Sequence, residues 1–161
     1  MLESPSYKGT DFTPLLLETA IGAAKQAGDV LLRYARNGFR VDHKSLINLV
    51  TEADHAAEQC IIDIIHAQYP DHRILAEERG RIDQGLSPYH WVIDPLDGTT
   101  NFAHGYPAYC VSIGLEHQEH PILGVVYDPA RDELFTAIRG GGARMNDQLL
   151  HVSQTAQLDR S

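Results

Sequence analysis

With 161 residues, 43% of them apolar, the chain has the size of one domain and can bury a core of its own. Twenty-two acids against 13 lysines and arginines give a net charge of −9, which does not suit a nucleic-acid-binding surface. No apolar run approaches the roughly 20 residues of a membrane span, and Met1 to Asp11 carries no basic segment followed by an apolar stretch. Cys60 and Cys110 lie far apart in sequence, so both are expected to be reduced and structural, and the expected location is the cytoplasm.

In chain order, Thr13-Pro14 predicts a helix start, a capping hydroxyl followed by proline at the first helical position. Leu17, Ala20, Ala24, Ala27, Leu31 and Tyr34 recur at helical spacing, and Asn37-Gly38 marks the stop. A second helix is predicted from Thr51, where Thr51 and Asp54 have capping-box spacing. Ala57, Ile61, Ile64 and Ile65 form its apolar stripe, and Pro70 ends it. Beyond Pro70 the pattern is that of strands. Arg73 to Ala76 leads into Glu77, and Trp91 to Asp94 leads into an acidic loop. Tyr109 to Glu116 and Ile122 to Tyr127 are joined by a short polar turn, the mark of a hairpin. Glu133 to Ile138 and Ala143 to Met145 flank Gly140-Gly141-Gly142, and Asn146-Asp147 turns the chain before Leu149 to Val152. Two early helices followed by a run of strands predict an α+β fold, with two N-terminal helices packed on a mostly antiparallel sheet.

The chemistry concentrates in Trp91-Val92-Ile93-Asp94-Pro95-Leu96-Asp97-Gly98-Thr99-Thr100-Asn101. Asp94 and Asp97 offer oxygens suited to Mg²⁺, which prefers carboxylate, carbonyl and water ligands. Gly98 lets the backbone approach a ligand closely. A helix starting near Thr99 would turn free N–H groups and a positive dipole end toward an anion. On a solvated loop such an acid pair would be unremarkable, but the apolar strand before it and the stiff Pro95 within it give this pair a rigid support. Other signals are weaker. Gly140-Gly141-Gly142 lacks the lysine and the following helix of a phosphate loop and reads as a tight turn. His117 and His120 read as surface residues of the hairpin turn. His104 reads equally as packing or as the edge of the site, and Ser112 has no nucleophile-elbow motif. Glu78, if it continues a strand, points away from Glu77.

Asp94 through Asn101, DPLDGTTN, resembles the first signature of the inositol monophosphatase family of Mg²⁺-dependent, lithium-sensitive phosphatases, and most closely its bacterial members. Asn48 through Asp54, Leu75 through Glu78, Phe102 through Pro107 and Gly124 through Pro129 follow the family pattern in the same order. Asn48 stands where the family usually has Asp, and Ala76 where it usually has Gly. The family's second signature, W-D-x-A-A-G, is absent, so the resemblance implies a single N-terminal domain over residues 1–161, the first half of the layered sugar-phosphatase fold. It implies that Glu77, Asp94 and the carbonyl of Leu96 bind one Mg²⁺, that Asp94 and Asp97 bind a second, and that the complete family site holds two or three ions. It further implies that Glu77 and Thr99 activate the attacking water, that Asp54 fixes the Thr99 hydroxyl, and that the amides of Gly98 and Thr99 cradle the phosphate. The implied substrate is inositol 1-phosphate or a related small polyol or sugar phosphate, and the implied full-length form is a homodimer that binds neither nucleic acid nor membrane directly. The alternatives are a metal- or partner-binding module without turnover, since some bacterial members act through protein partners, or a branch acting on fructose 1,6-bisphosphate, a nucleotide 3′-phosphate or histidinol phosphate.

Overall fold

The computed structural model describes residues 13–38, 41–43, 49–82 and 86–155, so Asn48 and its substitution for the family aspartate lie outside the described residues. Helix α1 runs Thr13–Asn37 and closes at Gly38, whose N–H donates to the carbonyl of Tyr34. Two short strands, β1 (Val41–His43) and β2 (Leu49–Thr51), pair antiparallel and lead into α2 (Glu52–Gln68). Then follow β3 (Arg73–Ala76), β4 (Gly80–Arg81), β5 (Tyr89–Asp97), a short α3 (Thr99–Ala103), β6 (Cys110–His117), β7 (His120–Asp128), β8 (Glu133–Ile138), β9 (Gly142–Met145) and β10 (Gln148–Leu149). Among the described residues the main sheet has eight strands in the order β10-β9-β8-β7-β6-β5-β3-β4. Every neighbouring pair is antiparallel except β3 with β5. The predicted α+β class is the one observed.

Both long helices lie on one face of this sheet, α1 against β6 and β7 and α2 against β5. The strands supply that face by alternation. Val111, Ile113 and Leu115 of β6, Val125 and Tyr127 of β7, and Trp91 and Ile93 of β5 are all buried. Trp91 is wholly buried, and its indole N–H donates to Nδ1 of His72 at 3.1 Å, so the largest core side chain leaves no polar atom unsatisfied. The buried face of α1 is Leu16, Ala20, Ala23, Ala24, Ala27 and Leu31, whereas Leu17 and Tyr34 are only partly buried at its margin. Small side chains let α1 approach closely: a Cβ on Gly28 would stand 2.6 Å from Cε1 of Tyr127. In α2 the stripe is Ala53, Ala57, Ile61, Ile62 and Ile65, with Ile64 turned to the margin.

The predicted hairpin is β6–β7, turned at Gln118 and Glu119, both at positive φ (51° and 65°), as a two-residue turn between twisted strands requires. His117 departs from expectation: it is half-buried, its ring 4.7 Å from that of Tyr89. Gly140 and Gly142, at φ 76° and 81°, make the β8–β9 turn, as predicted. The last strand is shorter than the predicted Leu149 to Val152. It ends at Leu149, beyond which one further bond, Leu150 N–H to the Ala143 carbonyl, follows.

Candidate metal and phosphate site

The parallel pair β3–β5 creates the site. Ala76 is registered with Ile93, so the chain leaving β3 emerges beside Asp94, and the Glu77 N–H donates to the Ile93 carbonyl at 3.2 Å. Glu77 and Asp94, 17 residues apart in sequence, become neighbours with carboxyls within hydrogen-bonding reach.

Strand β5 then bulges. Asp94 pairs with Ser112 and Asp97 with Cys110, three steps on one strand against two on the other. Pro95, which cannot donate to the ladder, lies inside the bulge. Residues three apart on a regular strand face opposite ways, but Ser112 and Cys110 are two apart and share a face. The extra residue therefore brings both acids to the same face of the sheet. Asp94 Oδ1 also accepts the Leu96 N–H at 3.1 Å, which tightens the bend.

After Asp97 the chain reverses at Gly98, at φ 96° and ψ 30°, which is the N-cap of α3. A Cβ here would stand 2.8 Å from the carbonyl oxygen of Ala108 and 3.2 Å from Cα of Tyr109, so both conformation and space demand glycine. The hydroxyl of Thr99 is shared between two acceptors, the Leu96 carbonyl at 3.0 Å and Asp54 Oδ1 at 3.3 Å. Asp54 is fully buried on α2, and its reach to Thr99 ties that helix to the loop. Because the single Thr99 proton is committed inward, its lone pairs remain to accept from a water.

The electrostatics suit a cation. Burial pushes the Asp94 carboxyl above its ordinary value, and the charges of Asp97 and Asp54 push it further, while hydrogen bonds from Glu77 and the Leu96 amide oppose them. Asp97 meets a neighbour the sequence did not suggest. Cys110 is half-buried with Sγ 3.9 Å from Asp97 Oδ2, and burial together with Asp97, Asp94 and Asp128 raises its thiol to about 11. Among the described residues no three acidic, histidine or cysteine side chains converge at ion-holding distance. The donors stand in pairs, Glu77 with Asp94 and Asp97 with Cys110. By donor chemistry the site still fits Mg²⁺, since carboxylates and a carbonyl are the hard oxygens it prefers, and a crowded, partly buried acid group gains from a cation. Glu78 does not continue strand β3: it lies in the turn between β3 and β4, and its N–H donates to buried Glu58. His104 is exposed, with Nδ1 2.8 Å from the Thr100 carbonyl, outside this cluster. No helix among the described residues is long and apolar enough to cross a membrane.

A helix-backed, mostly antiparallel sheet whose acid-rich strand end passes into a glycine turn and a helix start defines an α+β domain. The chain belongs to the inositol monophosphatase family, whose model matches residues 15–161. It is 57% identical over 114 residues to an inositol-1-monophosphatase of Synechocystis sp., a match covering 71% of this chain and 40% of the relative. It is 46% identical to a Nus factor SuhB of Pasteurella multocida, covering 89% of this chain and 54% of that protein. Its fold is similar to the crystal structure of the extragenic suppressor protein SuhB from Bartonella henselae, with TM-score 0.87 and 39% identity over 89% of this chain and 57% of that one. It is also similar to the inositol monophosphatase of Anabaena (Nostoc) sp., with TM-score 0.78 and 45% identity over 90% of this chain and 52% of that one. The chain thus spans about half the length of the curated relatives it matches.

Proposed function

We propose that this chain carries the first half of a Mg²⁺-dependent phosphomonoesterase acting on inositol 1-phosphate or a related small polyol or sugar phosphate. The observation that carries this reading is the bulge that aligns Asp94 and Asp97 beside Glu77, immediately before Gly98 and Thr99. Family membership and the names of its relatives support it. Glu77, Asp94 and the Leu96 carbonyl would hold one Mg²⁺, and Asp94 with Asp97 a second. Bound there, the ions supply a water acidic enough to attack near neutral pH and a clamp for the phosphoryl oxygens.

The protein's own part is positional. Thr99, its proton held by Asp54 and Leu96, accepts from the attacking water and points a water lone pair outward. Glu77 accepts the second water proton. The amides of Gly98 and Thr99, at the start of α3, meet the phosphate oxygens. Residues 1–161 form one N-terminal domain in this reading, and the complete protein is a cytoplasmic homodimer. Release of inorganic phosphate from inositol 1-phosphate by a chain extended to the length of its relatives, assayed with and without Mg²⁺, tests it. Mg²⁺-dependent release is expected, abolished by Asp94→Asn. Release that persists in Asp94→Asn contradicts it.

A second reading has support in the relatives called Nus factor SuhB: a metal- or partner-binding module without turnover. Tight Mg²⁺ binding without phosphate release, both in this chain and in a version extended to the length of its relatives, favours that module.

A further inference from the structure

Glu58 is the other fully buried acid of α2, one helical turn after Asp54. Its Oε2 accepts the Glu78 N–H at 2.9 Å, and Nε of Arg79 lies 3.1 Å from Oε1 as an ion-pair partner off the hydrogen-bonding angle. Arg79 is itself tethered to Gln59, the next residue on the helix. Both groups that hold Glu58 therefore come from the two residues directly after Glu77, in the turn between β3 and β4.

We propose that Glu58 is the positioning residue for Glu77. A buried carboxylate is a poor way to stabilise a helix, since an apolar side chain of similar size often does as well or better, and its use here fixes geometry. Helix α2 presents Asp54 to Thr99 and Glu58 to the 77–79 turn, four residues apart on one rigid body. The two loops that carry the site are thereby held in one frame. Glu77 is anchored from one side by the Ile93 carbonyl and from the other by the grip of Glu58 on residues 78 and 79. The proposal rests on the reading of Glu77 as a metal-binding carboxylate.

Calorimetric titration of Mn²⁺ into the wild-type chain, Glu58→Gln, Glu77→Gln and the double variant tests it. Removal of a residue that orients a metal ligand usually weakens affinity about 10–100-fold, and a loss in that range is expected for Glu58→Gln. The double variant should bind no more weakly than Glu77→Gln alone, because Glu58 acts only through Glu77. A merely structural role would lower the urea midpoint of Glu58→Gln and leave the Mn²⁺ affinity of the folded protein unchanged, which overturns the proposal. Wild-type affinity in Glu77→Gln overturns instead the reading of Glu77, and losses that simply add in the double variant overturn the route through Glu77. Should Glu58→Gln fail to fold, Arg79→Gln replaces it, as the Arg79 side chain is 44% exposed. A severalfold loss of Mn²⁺ affinity is then expected, and unchanged affinity overturns the proposal.

Discussion

Replacing Gly98 by alanine adds one methyl group at the most constrained point of the site. Two penalties combine. An L-residue held in the left-handed region costs about 1–2 kcal/mol. The new Cβ would also stand 2.8 Å from the Ala108 carbonyl oxygen and 3.2 Å from Cα of Tyr109, both backbone atoms that cannot rotate away. Overpacking of this kind costs about 1–3 kcal/mol, so the total is about 2–5 kcal/mol. Gly105→Ala is the matched control. Gly105 also has positive φ, 71°, but a Cβ there meets nothing within 4 Å. The loss of backbone entropy in the unfolded chain is common to both variants and cancels in the comparison. Urea unfolding followed by circular dichroism should place Gly98→Ala about 1–3 kcal/mol below Gly105→Ala, or roughly 1 M in midpoint. Equal midpoints would show that the segment before β6 yields to the methyl group and that the glycine turn is not rigid.

Gly28→Ala, whose Cβ would press on Tyr127 and Pro129, should lower the melting temperature, whereas Gly22→Ala on the same helix, with nothing within 4 Å, should raise it slightly by helix propensity. Burial, with the hydrogen bond to Asp132 and its charge, raises the Tyr127 phenol to about 12 from 10.0. The folded state thus favours the protonated phenol: this stability is complete below pH 10 and lost as pH rises through about 12, which phenolate absorbance and unfolding at high pH would follow together. In a chain extended to the length of its relatives, Thr99→Ala should cut kcat by about 10²–10⁴-fold and leave KM nearly unchanged, since orienting a water acts in the transition state. A change in KM alone would make Thr99 a binding residue.

Local signals carried much of this fold. Thr13-Pro14 and Asn37-Gly38 bracket α1 because capping depends on neighbouring residues only. The edge of its buried face was less legible. Leu16 and Leu17 lie four and three residues before Ala20, both allowed helical spacings, and only packing against the sheet selects Leu16. Long-range pairing was the part hidden in the sequence. Nothing local announces that β3 runs parallel to β5, yet that register sets Glu77 beside Asp94. Nor does an Asp-Pro-Leu-Asp run reveal a bulge; Trp91 to Asp94 reads as the whole strand, whereas β5 continues through Pro95 to Asp97 by adding one residue to the ladder. Glu58 is not legible from sequence, because an acid among apolar helix positions looks solvent-facing until its partners, 20 and 21 residues away, fold over it.

Asp94 is the carboxylate common to both proposed cation positions. Calorimetric titration of Mn²⁺ into the wild-type chain and Asp94→Asn addresses this directly. The site predicts saturable binding by the wild type and binding at least about tenfold weaker by the variant. Equal binding by the two proteins would contradict it.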